Sequence, residues 1–274
     1  MTRLLTQPRA MPCLVIITGA SRGLGRALAL SLARSLTTDL DIRLTASPAS
    51  IAQLAALGSE IKELRASFHH ATMVECLTAD LSDVAGLHGF ASLLFSRPRE
   101  MVFSQVIFVN NHGSLGDLAP VGTHDALRMH TAINVNVTST CFLSSEAVKF
   151  AKSLPPSTAV QIINISSLCA LQPFPSWAVY CAGKAARDMY HRTLAEELKD
   201  TSTKTLNYAP GPLDTDMQRQ IREGADVHEP TRKVFVDLKE QGKLVSPEAS
   251  AEKLVRLIVE NAYESGAHLD YYDL

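Results

Sequence analysis

The amino-acid sequence predicts an α/β fold, with one doubly wound parallel sheet and helices on both of its faces. Short runs rich in valine and isoleucine alternate with helical segments along the 274 residues, which is the pattern of βαβ units. The runs are apolar at nearly every position, as expected for strands that are buried on both faces. A glycine-rich turn at residues 18–25 separates the first run from the first helix.

Six strands and six helices are predicted in alternation. The strands are expected at 14–17, 42–46, 74–78, 106–109, 160–165 and 205–209. The helices are expected at 26–34, 49–66, 84–95, 124–152, 178–199 and 247–263. After the first strand, Leu28, Leu32 and Leu36 recur at every fourth position and form one apolar stripe. The last helix has a strong start signal, with Ser246 as the capping residue and Pro247 in the first turn.

No repeat, low-complexity tract or linker divides the chain, so residues 1–274 are expected to form a single domain. Residues 1–12 are expected to be a flexible N-terminus. Residues 212–245 are charged, weakly periodic and directly preceded by prolines and a glycine. We expect them to form a flap on the substrate side of the molecule.

Composition favours a small-molecule partner. The 26 basic and 28 acidic residues give a formal charge of −2, so neither nucleic acid nor a membrane surface is indicated. Five widely spaced cysteines without a Cys-x-x-Cys pair predict neither a disulfide framework nor a metal site. The sequence lacks a signal peptide and any apolar stretch of roughly 20 residues, so we expect a cytoplasmic protein.

The glycine turn reads Thr-Gly-Ala-Ser-Arg-Gly-Leu-Gly over residues 18–25. Glycines are needed there because the backbone must turn sharply and bring its N–H groups and the helix N-terminus toward a pyrophosphate. An ordinary glycine turn is the alternative interpretation. Two further strand ends complete a groove: Asp80, placed to accept a hydrogen bond from an adenine, and the run from Asn110 to Gly113.

Tyr180 and Lys184 are four residues apart on a predicted helix, so their side chains share one face. We expect the neighbouring ammonium to lower the pKa of the phenol toward neutrality and make Tyr180 a proton donor to a carbonyl oxygen. Ser167 follows the fifth predicted strand and is expected to bind the same oxygen. Taken singly, such residues are more often a packed tyrosine, a solvated lysine and a serine that ends a strand.

Together these motifs resemble the short-chain dehydrogenase/reductase family, and the resemblance covers nearly the whole chain. It is carried by Thr18-Gly19-x-x-x-Gly23-x-Gly25, Asn110-Asn111-x-Gly113, Asn136, Ser167, Tyr180-x-x-x-Lys184 and Pro210-Gly211. His112 departs from the alanine usual in the family. The resemblance implies a Rossmann-like oxidoreductase and a homodimer. It also implies that Asn136 holds a water for proton passage to Lys184 and that Lys184 binds the nicotinamide ribose.

The expected cofactor is NADPH (NADP+). The end of the second strand has Ser47 instead of the acid that binds the ribose of NAD, and Arg22 in the turn is expected to bind the 2′-phosphate. The catalytic residues are expected to be Asn136, Ser167, Tyr180 and Lys184. The expected cofactor contacts are Gly19, Ser21, Arg22, Gly23, Leu24, Gly25, Ser47, Asp80, Leu81, Asn110, Asn111, His112, Gly113, Tyr180, Lys184, Pro210, Leu213, Asp214, Thr215, Asp216, Met217 and Gln218.

Residues 164–174, 180–189, 206–218 and 265–273 are similar to the pterin-reducing members of the family. This similarity implies reduction of side-chain ketones of a pterin such as 6-pyruvoyl-tetrahydropterin, in tetrahydrobiopterin synthesis. The implied substrate contacts are Ser167, Tyr180, Gly211 and Asp270, with the Asp270 carboxylate accepting from the donor edge of the ring. Ser47 stands where those members usually have arginine. A carbonyl reductase for other dicarbonyls or sugars, and a dinucleotide-binding sensor without turnover, are the alternatives.

Overall fold

The computed structural model describes residues 11–98 and 101–274. The predicted flexible N-terminus at 1–12 therefore lies almost entirely outside the described residues. Seven parallel strands form one sheet in the order β3-β2-β1-β4-β5-β6-β7. The chain runs outward from β1 to one edge, returns to β4 and continues to the other edge, which confirms the predicted doubly wound α/β fold.

All six predicted strands are present, within two residues of the predicted bounds. The strands are β1 (Cys13–Ile17), β2 (Leu40–Ala46), β3 (Thr72–Thr78), β4 (Gln105–Asn110), β5 (Ala159–Ile165), β6 (Thr203–Ala209) and β7 (His268–Asp270). The short edge strand β7 was not predicted. It pairs with the end of β6, so that His268 lies beside Asn207 and Asp270 beside Ala209.

The helices are α1 (Gly23–Ser35), α2 (Ile51–Arg65), α3 (Leu87–Leu94), α4 (Ala126–Ile133), α5 (Ser139–Lys152), α6 (Ala178–Glu197), α7 (Asp216–Glu223), α8 (Glu229–Glu240) and α9 (Pro247–Glu260). The predicted start of α9 is confirmed, because the Ser246 hydroxyl accepts from the backbone N–H of Ala249 at 3.1 Å. None of the helices within residues 11–98 and 101–274 is long and apolar enough to cross a membrane.

The two faces of the sheet carry separate apolar cores. On β1, Val15 and Ile17 pack with residues of α1, α2 and α9, whereas Leu14 and Ile16 pack with residues of α3 and α5. Successive side chains of a strand point to opposite faces, so a strand that is covered on both must be apolar throughout. This explains why the strand pattern in the sequence is continuous.

Two segments differ from the prediction. The single helix expected at 124–152 is interrupted by a π-helical turn at Asn134–Thr138, which joins α4 to α5. The segment 212–245 is not irregular, because it contains α7 and α8. The sequence prediction missed α7 and α8, in which charged residues are interspersed with apolar ones; α8 has no buried residue.

Candidate active site

The glycine turn is folded too tightly for larger residues. Gly19 and Gly23 have φ of +65° and +53°, the left-handed region that glycine adopts without strain. At Gly25, a Cβ would lie 2.4 Å from the carbonyl oxygen of Gly19 and 2.5 Å from Asn111 Nδ2. That amide donates at 2.9 Å to the carbonyls of both Thr18 and Gly19, so β4 holds the turn in place.

The N-terminus of α1 faces a cavity without a protein cap. Arg22 is the N-cap residue, and no described side chain accepts a hydrogen bond from the first turn, which also has no acidic residue. The free N–H groups and the helix dipole therefore favour an anion. The first cavity has a volume of about 800 Å³ and runs along the carboxyl ends of the central strands. A turn, helix end and groove of this kind fit a dinucleotide.

Most of the predicted cofactor residues line this first cavity. They are Gly19, Ser21, Arg22, Gly23, Leu24, Ser47, Asp80, Leu81, Asn111, His112, Gly113, Tyr180, Lys184, Pro210, Leu213, Asp214, Thr215, Asp216 and Met217. Gly25 and Asn110 lie behind the lining, and Gln218 lines a neighbouring cavity instead. Asp80 is two residues beyond the end of β3, where Ser82 donates to it at 2.7 Å.

The end of the first cavity near β2 is rich in hydroxyls and guanidinium groups. Arg22 forms an exposed ion pair with Asp216 at 3.1 Å, and both residues line the cavity. Arg26, which the sequence prediction did not include, also lines it and pairs with Glu60 at 2.6 Å. Ser47 and Ser50 line the same cavity. Arg26 directly follows the last glycine of the turn, and this position could have identified it as a cavity residue from the sequence.

His112 is a buried member of the strand end, and both of its ring nitrogens contact protein hydroxyls. Nδ1 lies 2.7 Å from Thr18 Oγ1, and Nε2 lies 2.9 Å from Ser139 Oγ. Burial lowers the pKa of His112 well below its ordinary value, and the charges of Arg187 and Lys184 add to this effect. The neutral ring therefore ties β1, β4 and α5 together.

Tyr180 lies where the first cavity meets a second one and lines both. Lys184, one turn along α6, lies with its Nζ 5.6 Å from the centre of the Tyr180 ring and donates to the carbonyl of Ile165 at 2.7 Å. Both side chains are buried, at 7% and 4% exposure. The predicted shared face of α6 is therefore observed.

The pKa of Tyr180 is raised, not lowered as expected beside Lys184. Burial raises the pKa of Tyr180 above its ordinary value, Cys169 adds to this rise, and the Arg187 charge and the Ser167 hydroxyl oppose it. Burial also lowers the pKa of Lys184 well below its ordinary value, assisted by the Arg187 charge. Desolvation disfavours the charged form of each group and is the largest cause of both shifts. Tyr180 therefore keeps its proton throughout the neutral range.

Ser167 and Asn136 occupy different positions relative to the cavities. Ser167 lines the second cavity, and its hydroxyl accepts from the N–H of Cys169 at 3.2 Å. Asn136 lies in the π-helical turn and is buried; its amide donates to the carbonyl of Ser114 at 2.8 Å and accepts from the N–H of Ser114 at 2.9 Å. Asn136 thus fixes the loop after β4 and lines neither cavity.

The second cavity has a volume of about 1030 Å³ and an aromatic wall. Trp177 stacks on Phe235 of α8 with 5.5 Å between ring centres, and it meets Tyr180 edge-on at 5.9 Å. Gly211 and Asp270 also line this cavity. One carboxylate oxygen of Asp270 accepts from the N–H of Tyr272 at 3.0 Å, and the carboxylate also accepts from the backbone N–H of Asp273 in a capping box.

Comparisons with known proteins agree with this geometry. The sequence model of the short chain dehydrogenase family matches residues 13–226. Sepiapterin reductase of Bos taurus is 40% identical over 268 residues, covering 95% of this chain and 94% of that protein. Benzil reductase ((S)-benzoin forming) of Bacillus cereus is 30% identical over 254 residues, covering 92% and 96%. The crystal structure of the KRED1-Pglu enzyme has a TM-score of 0.77 at 24% identity, covering 93% and 99%, and supports the fold.

The family match spans well over half of the chain, and several vertebrate sepiapterin reductases are similar to it along nearly their whole length. The resemblance predicted from the sequence motifs is confirmed. This chain therefore belongs to the short-chain dehydrogenase/reductase family of nicotinamide-dependent oxidoreductases.

Proposed function

We propose that this protein uses NADPH to reduce a side-chain ketone of a pterin such as sepiapterin or 6-pyruvoyl-tetrahydropterin, with Tyr180 as the proton donor. The observation that supports this most directly is the meeting of two cavities at Tyr180. The first cavity fits a dinucleotide, and the second has an aromatic wall and an acid. The similarity to sepiapterin reductases supports the choice of substrate. The reaction would be a step in tetrahydrobiopterin synthesis.

The glycine turn and the open N-terminus of α1 would hold the pyrophosphate, and Asp80 the adenine. Arg22 and Arg26 would bind the 2′-phosphate, together with the Ser47 hydroxyl, because no acid stands at the end of β2. When bound, the dinucleotide supplies the hydride for reduction of the ketone carbon. The ratio of the KM values for NADH and NADPH in the parent protein measures the preference for NADPH. We expect this preference to fall in an Arg22→Ala variant.

Tyr180 would supply the proton. Because its pKa is raised by burial, the phenol is protonated at neutral pH and becomes a donor once an alkoxide, a far stronger base, develops beside it. Ser167 would donate a hydrogen bond to the same oxygen. Lys184 would bind the nicotinamide ribose and restore the Tyr180 proton by way of a water held near Asn136.

The second cavity would hold the pterin ring against its aromatic wall. Its donor-rich edge would face the Asp270 carboxylate, and Gly211 would lie near the ring. Residues 212–245 form the outer wall through α7 and α8, and we propose that they act as the substrate-side flap. The backbone N–H of His228 bonds Ser176 at 2.9 Å, which anchors the start of α8.

A reductase of other dicarbonyls or sugars is the second candidate, favoured by the similarity to a benzil reductase and by the apolar wall of the second cavity. Asp270→Ala separates the two candidates. If the pterin is the substrate, the variant loses turnover of sepiapterin and keeps turnover of diacetyl, which has no ring to anchor. Unchanged sepiapterin kinetics would remove Asp270 from the site. The complete set of Asn136, Ser167, Tyr180 and Lys184 argues against the sensor without turnover.

Tyr180→Phe tests the proposed chemistry. It removes the proton and retains the ring, so we expect kcat for sepiapterin to fall at least about 100-fold while NADPH binding stays within about threefold. The measurement is NADPH oxidation in steady state, with dinucleotide binding followed separately. Full activity in Tyr180→Phe would contradict the assignment.

We also propose a homodimer in the cytoplasm. Leu127 and Met129 of α4 and Met189 of α6 are exposed apolar residues on helices that family members use for pairing. All five cysteines are free thiols, consistent with a reducing compartment. Light scattering at several protein concentrations measures the oligomeric state.

A further inference from the structure

A row of polar side chains crosses the sheet beneath the active site. Asn110, Asn164, Asn207 and His268 are neighbours in register on the four strands from β4 to β7, and we call them the polar row. The three asparagines are completely buried, at 0% exposure. His268, on the edge strand, lines the second cavity and retains 15% of its side-chain exposure. The row therefore reaches the cavity at His268.

The His268 ring is fixed from behind by Asp188 of α6. Nδ1 of His268 lies 2.5 Å from Asp188 Oδ2, and the other carboxylate oxygen accepts from Ser166 at 2.5 Å and from Asn164 at 3.1 Å. Because a carboxylate accepts hydrogen bonds, a ring hydrogen is on Nδ1, and in the neutral imidazole Nε2 then presents a lone pair. This is the arrangement that sets both the tautomer and the orientation of functional histidines.

Nε2 has no hydrogen-bond partner among residues 11–98 and 101–274, and it is not one of their buried unsatisfied atoms. The two ring nitrogens point in nearly opposite directions. Since Nδ1 is directed at the buried Asp188, Nε2 is directed outward, toward the second cavity that His268 lines. An oriented acceptor at this position has no function within the fold.

His268 and Asp270 are two residues apart on β7, so their side chains lie on the same face of the strand. Leu269, between them, packs against the opposite core. Both flanking residues line the second cavity: His268 presents Nε2 without a described protein partner, and Asp270 presents a carboxylate with more lone pairs than its two capping bonds use. Two adjacent acceptors match a heterocycle that has several N–H donors along one edge, and they match a plain dicarbonyl poorly.

We propose that His268 is a substrate-binding residue, whose Nε2 accepts a hydrogen bond from an N–H group of the substrate ring beside the group that Asp270 binds. This inference rests on the proposed pterin substrate. It assigns Asp188 as the positioning residue for the imidazole.

The test compares KM for sepiapterin with KM for diacetyl, which has no ring donors. In His268→Asn the side-chain amide reaches the position of Nδ1, so it retains a donor to Asp188. The variant has no atom at the position of Nε2. We expect it to raise the ratio of KM for sepiapterin to KM for diacetyl about tenfold, which is the effect of one lost hydrogen bond in a buried site. His268→Gln reaches the Nε2 position and should recover most of the affinity. His88→Asn, on α3 and outside both cavities, is the matched control and should leave the ratio unchanged.

The proposal is overturned if His268→Asn leaves the ratio unchanged, or if it raises both KM values equally, which would indicate a structural role. Should that variant fail to fold, imidazole ¹⁵N spectra of the parent protein decide: Nε2 of His268 shifts on addition of biopterin if the bond forms, and an unmoved resonance refutes it. Absence of sepiapterin turnover in the parent protein, with diacetyl still reduced, would instead refute the proposed function.

Discussion

Gly25→Ala tests whether the glycine turn acts through its tight backbone packing. The added methyl would lie 2.4 Å from the Gly19 carbonyl oxygen, 2.5 Å from Asn111 Nδ2 and 3.0 Å from the Cα of Ala20. Two of these three atoms belong to the backbone, so a side-chain rotation does not relieve the contact. The turn itself must move away from α1.

The expected cost has two parts. Overpacking of this kind destabilises a fold by about 1–3 kcal/mol, and the melting temperature should fall by several degrees. Displacement of the turn also misaligns the N–H groups that would bind the pyrophosphate. Loss of two charge-assisted hydrogen bonds amounts to at least about 3 kcal/mol, which is a factor of roughly 100 or more in the Kd for NADPH.

The assay pairs thermal unfolding with titration of NADPH. Gly89→Ala is the matched control, because Gly89 lies inside α3 and nothing lies within 4 Å of its added Cβ. Alanine there should stabilise the helix by about 0.5–1 kcal/mol and leave the Kd unchanged. The packing argument fails if Gly25→Ala binds NADPH within threefold of the parent protein.

Two further predictions concern proton binding and cofactor preference. Burial lowers the pKa of His191 from 6.5 to about 4. At pH 5, His191 is therefore protonated in the unfolded chain and neutral in the folded protein. Stability should therefore fall by about 2 kcal/mol between pH 7 and pH 5 in urea unfolding, and His191→Gln should show a shallower slope, whereas an equal slope would contradict the assignment. Ser47→Arg adds a third guanidinium to those of Arg22 and Arg26 and should lower KM for NADPH about tenfold with KM for NADH unchanged. Equal effects on both dinucleotides in steady-state assays would show that the new cation does not contact the 2′-phosphate.

The sequence predicts the fold and the glycine turn because both depend on local patterns. An apolar run, three glycines and a helical stripe are contiguous in the chain. The right-handed crossover of βαβ units then allows few topologies for the sheet. The strand β7 could not be found in this way. It has three residues, and only Leu269 contributes an apolar contact to the core, yet it carries His268 and Asp270 to the second cavity.

The pKa shifts in the site depend on how deeply each side chain is buried, which the separation of residues in the sequence does not reveal. The positions of Tyr180 and Lys184 on α6 follow from a separation of four residues. The sign of their pKa shifts follows from exposures of 7% and 4%, produced by elements far away in sequence. The polar row is hidden for a related reason, because its residues align only when the register of four strands is known.

The buried charges beneath the site explain how its groups are held in place. Arg187 donates to Asn164 and to the backbone carbonyls of Asn110 and His112, at 2.7 to 2.8 Å. Burial lowers its pKa to about 10, so it remains charged near neutral pH and must retain these acceptors. Asp188, the next residue, likewise accepts from Ser166, Asn164 and His268. Desolvated ions tolerate the loss of a partner poorly, so the ends of β4, β5 and β7 are held at fixed separations. The cofactor side and the substrate side of Tyr180 are therefore supported by one network, and we expect a change in that network to disturb both.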